Sequence, residues 1–281
     1  MTSVAVFPNT GKEHADDVLK RVIDFFKMKG AEIYLPQNEA LYFGYEDLGT
    51  ENIKDVDVDF AVSIGGDGTL LGVCRELYGR DIPVTGINIG TFGFLPDVEV
   101  NEIEGKLQML LDHKYHIEDR LILEASVRSE NGTHFLGRAV NDVVVTKGGV
   151  ARMLQLGLSV NGYMVSEYRA DGLIVSTATG STAYSLSAGG PIVTPKVKAI
   201  ILTPICPHTF TIRPMVIDEN DEVVVHIAAV HQDIIVTFDG QESFRLLPGD
   251  KIIVRKAEHQ AHIVKFDDKD YYQTILGKLW K

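Results

Sequence analysis

Gly65-Gly66-Asp67-Gly68-Thr69 sets three glycines and a threonine around one aspartate. Glycine backbone bends tightly and lets N–H groups approach an anion, whereas a carboxylate in the same turn repels phosphate. The conflict resolves if one site needs both. Phosphoryl transfer uses amides and a cation for the phosphate oxygens, and a further group to aim or deprotonate the attacking hydroxyl. Gly65, Gly66, Gly68 and Thr69 would then cradle phosphate. Asp67 would orient or deprotonate the acceptor, or hold a divalent cation on the donor's phosphates. The plainer reading is a strand-to-helix turn whose aspartate caps the helix.

Two further constellations carry polar groups in apolar surroundings. Residues 171–190 are rich in Ser, Thr and Gly, between the apolar Leu173–Val175 and Pro191-Ile192-Val193. A short helix from Ser181 would direct free amides at whatever lies before it, as a nucleotide loop does; a polar loop between strands is the alternative. Asn141-Asp142 interrupts the apolar run Ala139–Val145. Desolvated polar groups without partners cost about 1–3 kcal/mol each, so this pair needs partners or a bulge.

The elements that position these groups fall into two patterns. Val4–Phe7, Ala31–Leu35, Val58–Ile64 and Val84–Ile89 read as buried strands. Lys12–Lys29 presents Ala15, Val18, Leu19, Val22, Ile23 and Phe26 on one helical face, with Gly30 just beyond its end. Thr69–Tyr78 reads as a second helix, and Pro36–Asp57 as a long mobile connection without periodicity. The alternation predicts an α/β domain with a parallel, Rossmann-like sheet and ligands at the carboxyl ends of its strands.

Beyond about residue 117 the pattern is short strands between Gly, Asn and Asp turns. They are Leu121–Arg128, His134–Thr146, Gln155–Val160, Leu173–Thr177, Ala199–Thr203, Glu222–His226, Ile234–Phe238, Lys251–Val254 and Ala261–Lys265. Gln273–Trp280 reads as a closing helix. This half predicts an all-β domain.

The chain has 281 residues, is 45% hydrophobic and carries a net charge of −12, which argues against nucleic-acid or anionic-membrane partners. No apolar run approaches the ~18–20 residues of a membrane span. Cys74 and Cys206 lack a metal or pairing pattern, as suits a reducing compartment. The expectation is a soluble, cytoplasmic protein. His113 and His116 have no third ligand nearby in sequence.

Together these stretches resemble the bacterial NAD kinase family. The family's marks here are Gly65–Thr69, Asn88–Leu95, Asn141-Asp142, Arg169–Pro195, Pro207–Phe210, Arg213-Pro214 and Asp239-Gly240-Gln241, in the family's order. A Gly-Gly-Asp-Gly turn alone is weak, since lipid kinases and phosphofructokinases are similar there; the Thr179–Pro191 block is far more specific. Ala178 stands where many relatives have proline, and Asp142 where many have glutamate.

The resemblance implies phosphorylation of the adenosine-ribose 2′-hydroxyl of NAD, giving NADP. ATP is the implied donor, with polyphosphate as the alternative and Mg²⁺ or Mn²⁺ as cation. By position, Asp67 serves as base or orienter close to the metal, and Asp239 as a second acid near the transferred phosphate. Asn141 and Asp142 bind dinucleotide hydroxyls. Phe94, Thr179, Thr182, Ala183, Tyr184 and Ser187 line the pocket, with Arg169 and Gln241 among the binding residues. Asp171 reaches the dinucleotide of a neighbouring subunit in a homotetramer, or at least a homodimer. The implied domains are 1–117 (α/β), 118–262 (all-β, dinucleotide-binding and oligomerising) and 263–281, returning to the first.

Two other classes share parts of this pattern. A diacylglycerol-type lipid kinase would share the glycine turn but needs a membrane-facing surface, which the acidic charge disfavours. A non-catalytic dinucleotide sensor would keep the pocket without needing Asp67. Val6-Phe7-Pro8-Asn9-Thr10-Gly11 lacks Gly-x-Gly-x-x-Gly, which argues against an ordinary NAD-dependent dehydrogenase.

Overall fold

The structure is a computed structural model that describes residues 1–90, 93–149, 153–209, 211–228, 234–267 and 271–279. Thr91 and Phe92 of the Asn88–Leu95 stretch, Phe210 of the Pro207–Phe210 stretch and Trp280 lie outside them. The chain divides into two compact units, Met1–Asp119 with Ala261–Lys281, and Arg120–Gln260.

The first unit is a sheet with helices between its strands. Its strands are β1 (Ser3–Pro8), β2 (Glu32–Pro36), β3 (Gly49–Thr50), β4 (Phe60–Gly65), β5 (Val84–Asn88), β6 (Val98–Glu99) and β7 (His116–Arg120). The spatial order is β3-β2-β1-β4-β5, then the late strand Ala261–Lys265, then β7, with β6 also on β5. β1, β2, β4 and β5 pair in parallel. β4 and β5 are buried along their whole length, as strands covered on both faces must be.

Helix α1 (Ala15–Met28) buries the apolar face read from its sequence, and Gly30 follows with φ +70°. Pro36–Asp57 is not a mobile connection. It holds α2 (Gln37–Phe43), closed by Gly44 at φ +75°, two 3-10 turns and β3, with Ala40 and Ile53 buried. Elements this short cannot display a period over the roughly 11–18 residues that reveal one. Helix α3 spans Asp67–Glu76, so it begins at the aspartate itself, two residues before Thr69. Helix α4 (Ile103–Leu111) buries Ile103, Leu107 and Leu110. Ala261–Lys265 is not part of the β unit but runs parallel to β5, Ile263 facing Val84, and the closing helix is Tyr271–Leu279.

The second unit is a sandwich of two six-stranded sheets. One runs 215–218, 199–205, 172–177, 142–147, 234–238, 242–246; the other 163–170, 154–160, 223–227, 251–256, 123–129, 132–139. Val143, Val145, Leu173, Val175, Val236 and Phe238 share one core with Leu123, Leu156, Val225 and Val254 from the facing sheet, the interior a face-to-face sandwich requires. The expected single strand His134–Thr146 is two: Gly132–Ala139 belongs to one sheet and Asp142–Lys147 to the other. Asn141-Asp142 therefore marks where the chain crosses between sheets. Three strands beyond those expected from the sequence, Tyr163–Ala170, Met215–Asp218 and Glu242–Leu246, all lie at sheet edges.

Candidate functional site

In the first unit, β4 delivers the chain to Gly65, where a side chain would collide with Thr69. Thr69 is fixed in turn, its Oγ1 accepting from Asn9 Nδ2 at 2.9 Å. A Cβ on Gly66 would meet nothing within 4 Å, so the turn opens onto free space there. Asp67 does not cap its own helix. Its Oδ2 accepts the Phe94 N–H at 2.9 Å and its Oδ1 the Leu95 N–H at 3.0 Å. Gly93 is obligatory for this contact, because a side chain there would strike the Asp67 carboxylate.

The 94–97 segment is braced from the far end of the chain. Lys265 Nζ donates to the Leu95 carbonyl at 2.9 Å and pairs with Asp97 at 3.6 Å, while Phe266 N–H donates to Asp97 Oδ2 at 2.9 Å. No sequence feature marks Asp97 or Lys265. Their partners lie about 170 residues away, and neither has a local motif. The result is a carboxylate locked in orientation beside an open glycine turn, as an orienting or proton-accepting group requires.

In the second unit, Asp239 and Gly240, at φ +50° and +66°, lie in the three-residue turn that joins Ile234–Phe238 to Glu242–Leu246, left-handed conformations that Asp and Gly tolerate best. The Asp239 carboxylate crosses to the 140–142 junction. Its Oδ1 accepts from Asn141 N–H at 2.7 Å and Asp142 N–H at 3.2 Å, its Oδ2 from Val140 N–H at 3.1 Å. Thus Asp239, Asn141 and Asp142 are one construction. Asn141 Oδ1 is buried without a hydrogen-bond partner among the described residues, as is Ser176 Oγ, which sits opposite Asp142 on the neighbouring strand.

The Ser/Thr/Gly block packs onto the same junction. Thr177 Oγ1 donates to the Val140 carbonyl at 2.6 Å and accepts from Gly180 N–H at 3.1 Å. A side chain on Gly180 would run into the Asn141 backbone. The expected helix from Ser181 is instead a 3-10 turn, Thr179–Thr182, and a four-residue helix, Tyr184–Ser187. Its hydroxyls mostly shape the loop: Ser181 Oγ donates to the Ala178 carbonyl, Thr182 Oγ1 to the Thr179 carbonyl, and Ser185 Oγ pairs with Thr203 Oγ1. Thr179 Oγ1 accepts from Arg120 at 3.4 Å. Tyr184 and Ser187 are exposed and Ala183 half-buried. Arg169 and Gln241 are exposed, and Asp171 pairs with Lys147 at 2.6 Å.

Asp142 is 4% exposed. Burial, then the neighbouring Asp239 charge, pushes its carboxyl up to about 7. An unfolded aspartate titrates near ~3.9. Between those values the folded chain holds a proton that the unfolded chain releases. This group's contribution is therefore most favourable below about pH 4, declines through pH 7 and stays unfavourable above it. Asp142→Asn is expected to stabilise the protein at pH 8, by at most ~4 kcal/mol, and to change little at pH 4. Thermal melts at both values check this, and equal shifts at both would refute it.

The 4–115 segment matches the family model for the ATP-NAD kinase N-terminal domain, and 140–266 the model for the ATP-NAD kinase C-terminal domain. The chain belongs to the NAD kinase family. A NAD kinase of Geobacter metallireducens is 38% identical over 99% of this chain and 98% of its own. Among solved structures, a NAD kinase from Archaeoglobus fulgidus in complex with ATP is 29% identical, with a TM-score of 0.77 over 99% of this chain and 98% of that one. Yeast NADH kinase complexed with NADH shares the fold at a TM-score of 0.90 and 23% identity, over 100% of this chain and 88% of that one. The protein is thus a phosphotransferase of the NAD kinase family with that family's two-domain fold.

A divalent cation is implied by the family. Among the described residues no three His, Cys, Asp or Glu side chains gather as a cage. Magnesium commonly needs only one or two carboxylates plus substrate phosphates. Asp67, beside the open turn, fits that second mode.

Proposed function

We propose that this chain transfers the γ-phosphoryl group of ATP to the 2′-hydroxyl of the adenosine ribose of NAD, making NADP. The observation that carries the reading is the Asp67 carboxylate, held by the Phe94 and Leu95 amides beside the open Gly65–Gly68 turn. A merely capping aspartate would turn to its own helix. Here the carboxylate is aimed elsewhere, which leaves the open glycine turn to take the donor's phosphates.

Asp67 orients the 2′-hydroxyl and takes its proton as the oxygen attacks the γ-phosphorus in line, while the bond from that phosphorus to the β–γ bridging oxygen breaks and ADP leaves. Asn141 and Asp142 bind ribose hydroxyls, which gives the buried Asn141 Oδ1 the partner it lacks among the described residues. Asp239 acts by holding that pair in place. Tyr184, Ala183 and Ser187 present the outer surface of the loop to the dinucleotide, and Phe94, Thr179, Thr182, Arg169 and Gln241 complete the binding set. Mg²⁺ or Mn²⁺, held by Asp67 and the donor's phosphates, would neutralise charge on the phosphate oxygens. Polyphosphate is the second donor of this reading.

We infer a homotetramer, or at least a homodimer, in which Asp171 reaches a neighbour's dinucleotide. In support, the edge strands carry exposed Tyr163, Met164, Val165, Met215 and Val216, and exposed apolar edges invite a partner. A fully active monomer by light scattering at assay concentration would exclude the shared site. Cys74 and Cys206 are free thiols, in keeping with the cytoplasm. No helix among the described residues is long and apolar enough to cross a membrane.

An acceptor ribose held by directional hydrogen bonds gives one product, on this reading the 2′-phosphate. Phosphorus NMR of the product made from NAD and ATP decides it. A 3′-phosphate, or a phosphate on the nicotinamide ribose, would mean that the pose is wrong.

A further inference from the structure

The loop after β1 is built against the glycine turn in a way that the roles given above leave unexplained. Asn9 makes four hydrogen bonds. Its N–H donates to the Ile64 carbonyl at 2.9 Å, at the end of β4. Its Oδ1 accepts the Gly11 N–H at 2.9 Å, closing a tight turn. Its Nδ2 donates to Thr69 Oγ1 at 2.9 Å, on the first turn of α3. Lys12 N–H returns to the Asn9 carbonyl at 3.3 Å. The turn therefore cannot move independently of the Gly65–Thr69 segment.

What it presents is a cation. A Cβ on Gly90, just past β5, would lie 3.8 Å from Lys12 Nζ, so the ammonium sits over a glycine with φ +126° at the neighbouring strand's carboxyl end. Lys12 is exposed, and among the described residues no carboxylate pairs with it. A surface lysine without a partner is ordinary. One whose loop is tied by two hydrogen bonds to the segment carrying a phosphate-type turn, and whose head lies over bare backbone, is placed for an anion. The terminal phosphates of a nucleoside triphosphate carry several negative charges, and fixed cations at those oxygens stabilise them throughout transfer.

We propose that Lys12 is a donor-binding residue: its ammonium, held over Gly90 by the Asn9 turn, grips the terminal phosphates of ATP. Asn9 is the positioning residue, acting through Lys12 and Thr69. The proposal rests on the kinase reading above and adds to it a cation from the first loop. No bond in Lys12 forms or breaks.

The test titrates a non-hydrolysable ATP analogue with Mg²⁺ against the full-length protein, alongside steady-state kinetics with NAD. Lys12→Met is expected to weaken analogue binding and raise the KM for ATP by about tenfold or more, as loss of a charge-assisted contact does, with the KM for NAD unchanged. Lys12→Arg is expected to restore most of the loss. Salt should weaken analogue binding to the wild type and do so less in Lys12→Met. Asn9→Ala should show a smaller change of the same kind, with a normal melt confirming the fold. Unchanged analogue binding in a folded Lys12→Met protein overturns the proposal. Equal rises in the KM values for ATP and NAD also overturn it, since a merely structural lesion has no reason to single out the donor. Wild-type protein that binds the analogue yet makes no NADP overturns the functional reading instead, and the binding titration still decides Lys12.

Discussion

Asp67→Asn is expected to lower kcat for NADP formation by about 10²–10⁴, the usual penalty for losing a positioned proton acceptor. The substitution keeps volume and one carbonyl oxygen, so the fold should survive. It is not silent for structure, however. In the native turn the two carboxylate oxygens accept one N–H each, from Phe94 and Leu95. An asparagine answers one of these and sets its own NH₂ against the other. A mispaired donor of this kind costs about 1–3 kcal/mol when buried and less here, where the contacts are only partly buried. Loss of rate should therefore far exceed loss of stability. Single-turnover kinetics and thermal melts on the same preparation separate the two. Near-normal turnover in a folded Asp67→Asn protein would remove this residue from the mechanism. A melt lowered in proportion to the rate would make Asp67 a brace for the 94–95 turn instead.

The parts of this molecule legible in the sequence are those whose cause is local. The α1 face follows from residues spaced three and four apart, and β4 and β5 are apolar because both of their faces are covered. Gly65 and Asp67 stand out because glycines and a carboxylate crowd one turn. What was hidden depends on distant partners. Ala261–Lys265 looks like any other short strand of the second half, and only its pairing with β5 assigns it to the first unit. The edge strands Tyr163–Ala170 and Glu242–Leu246 expose most of their length, so no inward alternation announces them. The run Ala139–Val145 conceals a change of sheet, because its two halves are equally apolar and Asn141-Asp142 is the sole mark of the crossing. The composition of the Ser/Thr block suggests groups offered to a ligand. Many of those hydroxyls instead close the loop upon itself, and composition cannot distinguish an inward hydroxyl from an outward one.

The same junction sets the second large expectation. Asp239→Ala should destabilise the β unit by several kcal/mol, because Val140, Asn141 and Asp142 would each lose the acceptor of a backbone N–H, at about 1–3 kcal/mol for each that water cannot reach. Strain adds to this, since alanine tolerates φ +50° less well than aspartate or asparagine does. Asp239→Gly removes the strain but not the missing acceptor, so the difference between the two variants measures the backbone part. Asp239→Asn keeps one acceptor oxygen and should fall between Asp239→Ala and the wild type. If Asp239 acts by placing Asn141 and Asp142, the asparagine variant should raise the KM for NAD more than it lowers kcat, and lose stability in parallel. If it acts as an acid at the transferred phosphate, Asp239→Asn should cut kcat at unchanged stability and unchanged KM for NAD. Urea melts and steady-state kinetics on the three variants distinguish these outcomes. We expect the first, because the same two oxygens that would serve the phosphate already hold three backbone N–H groups.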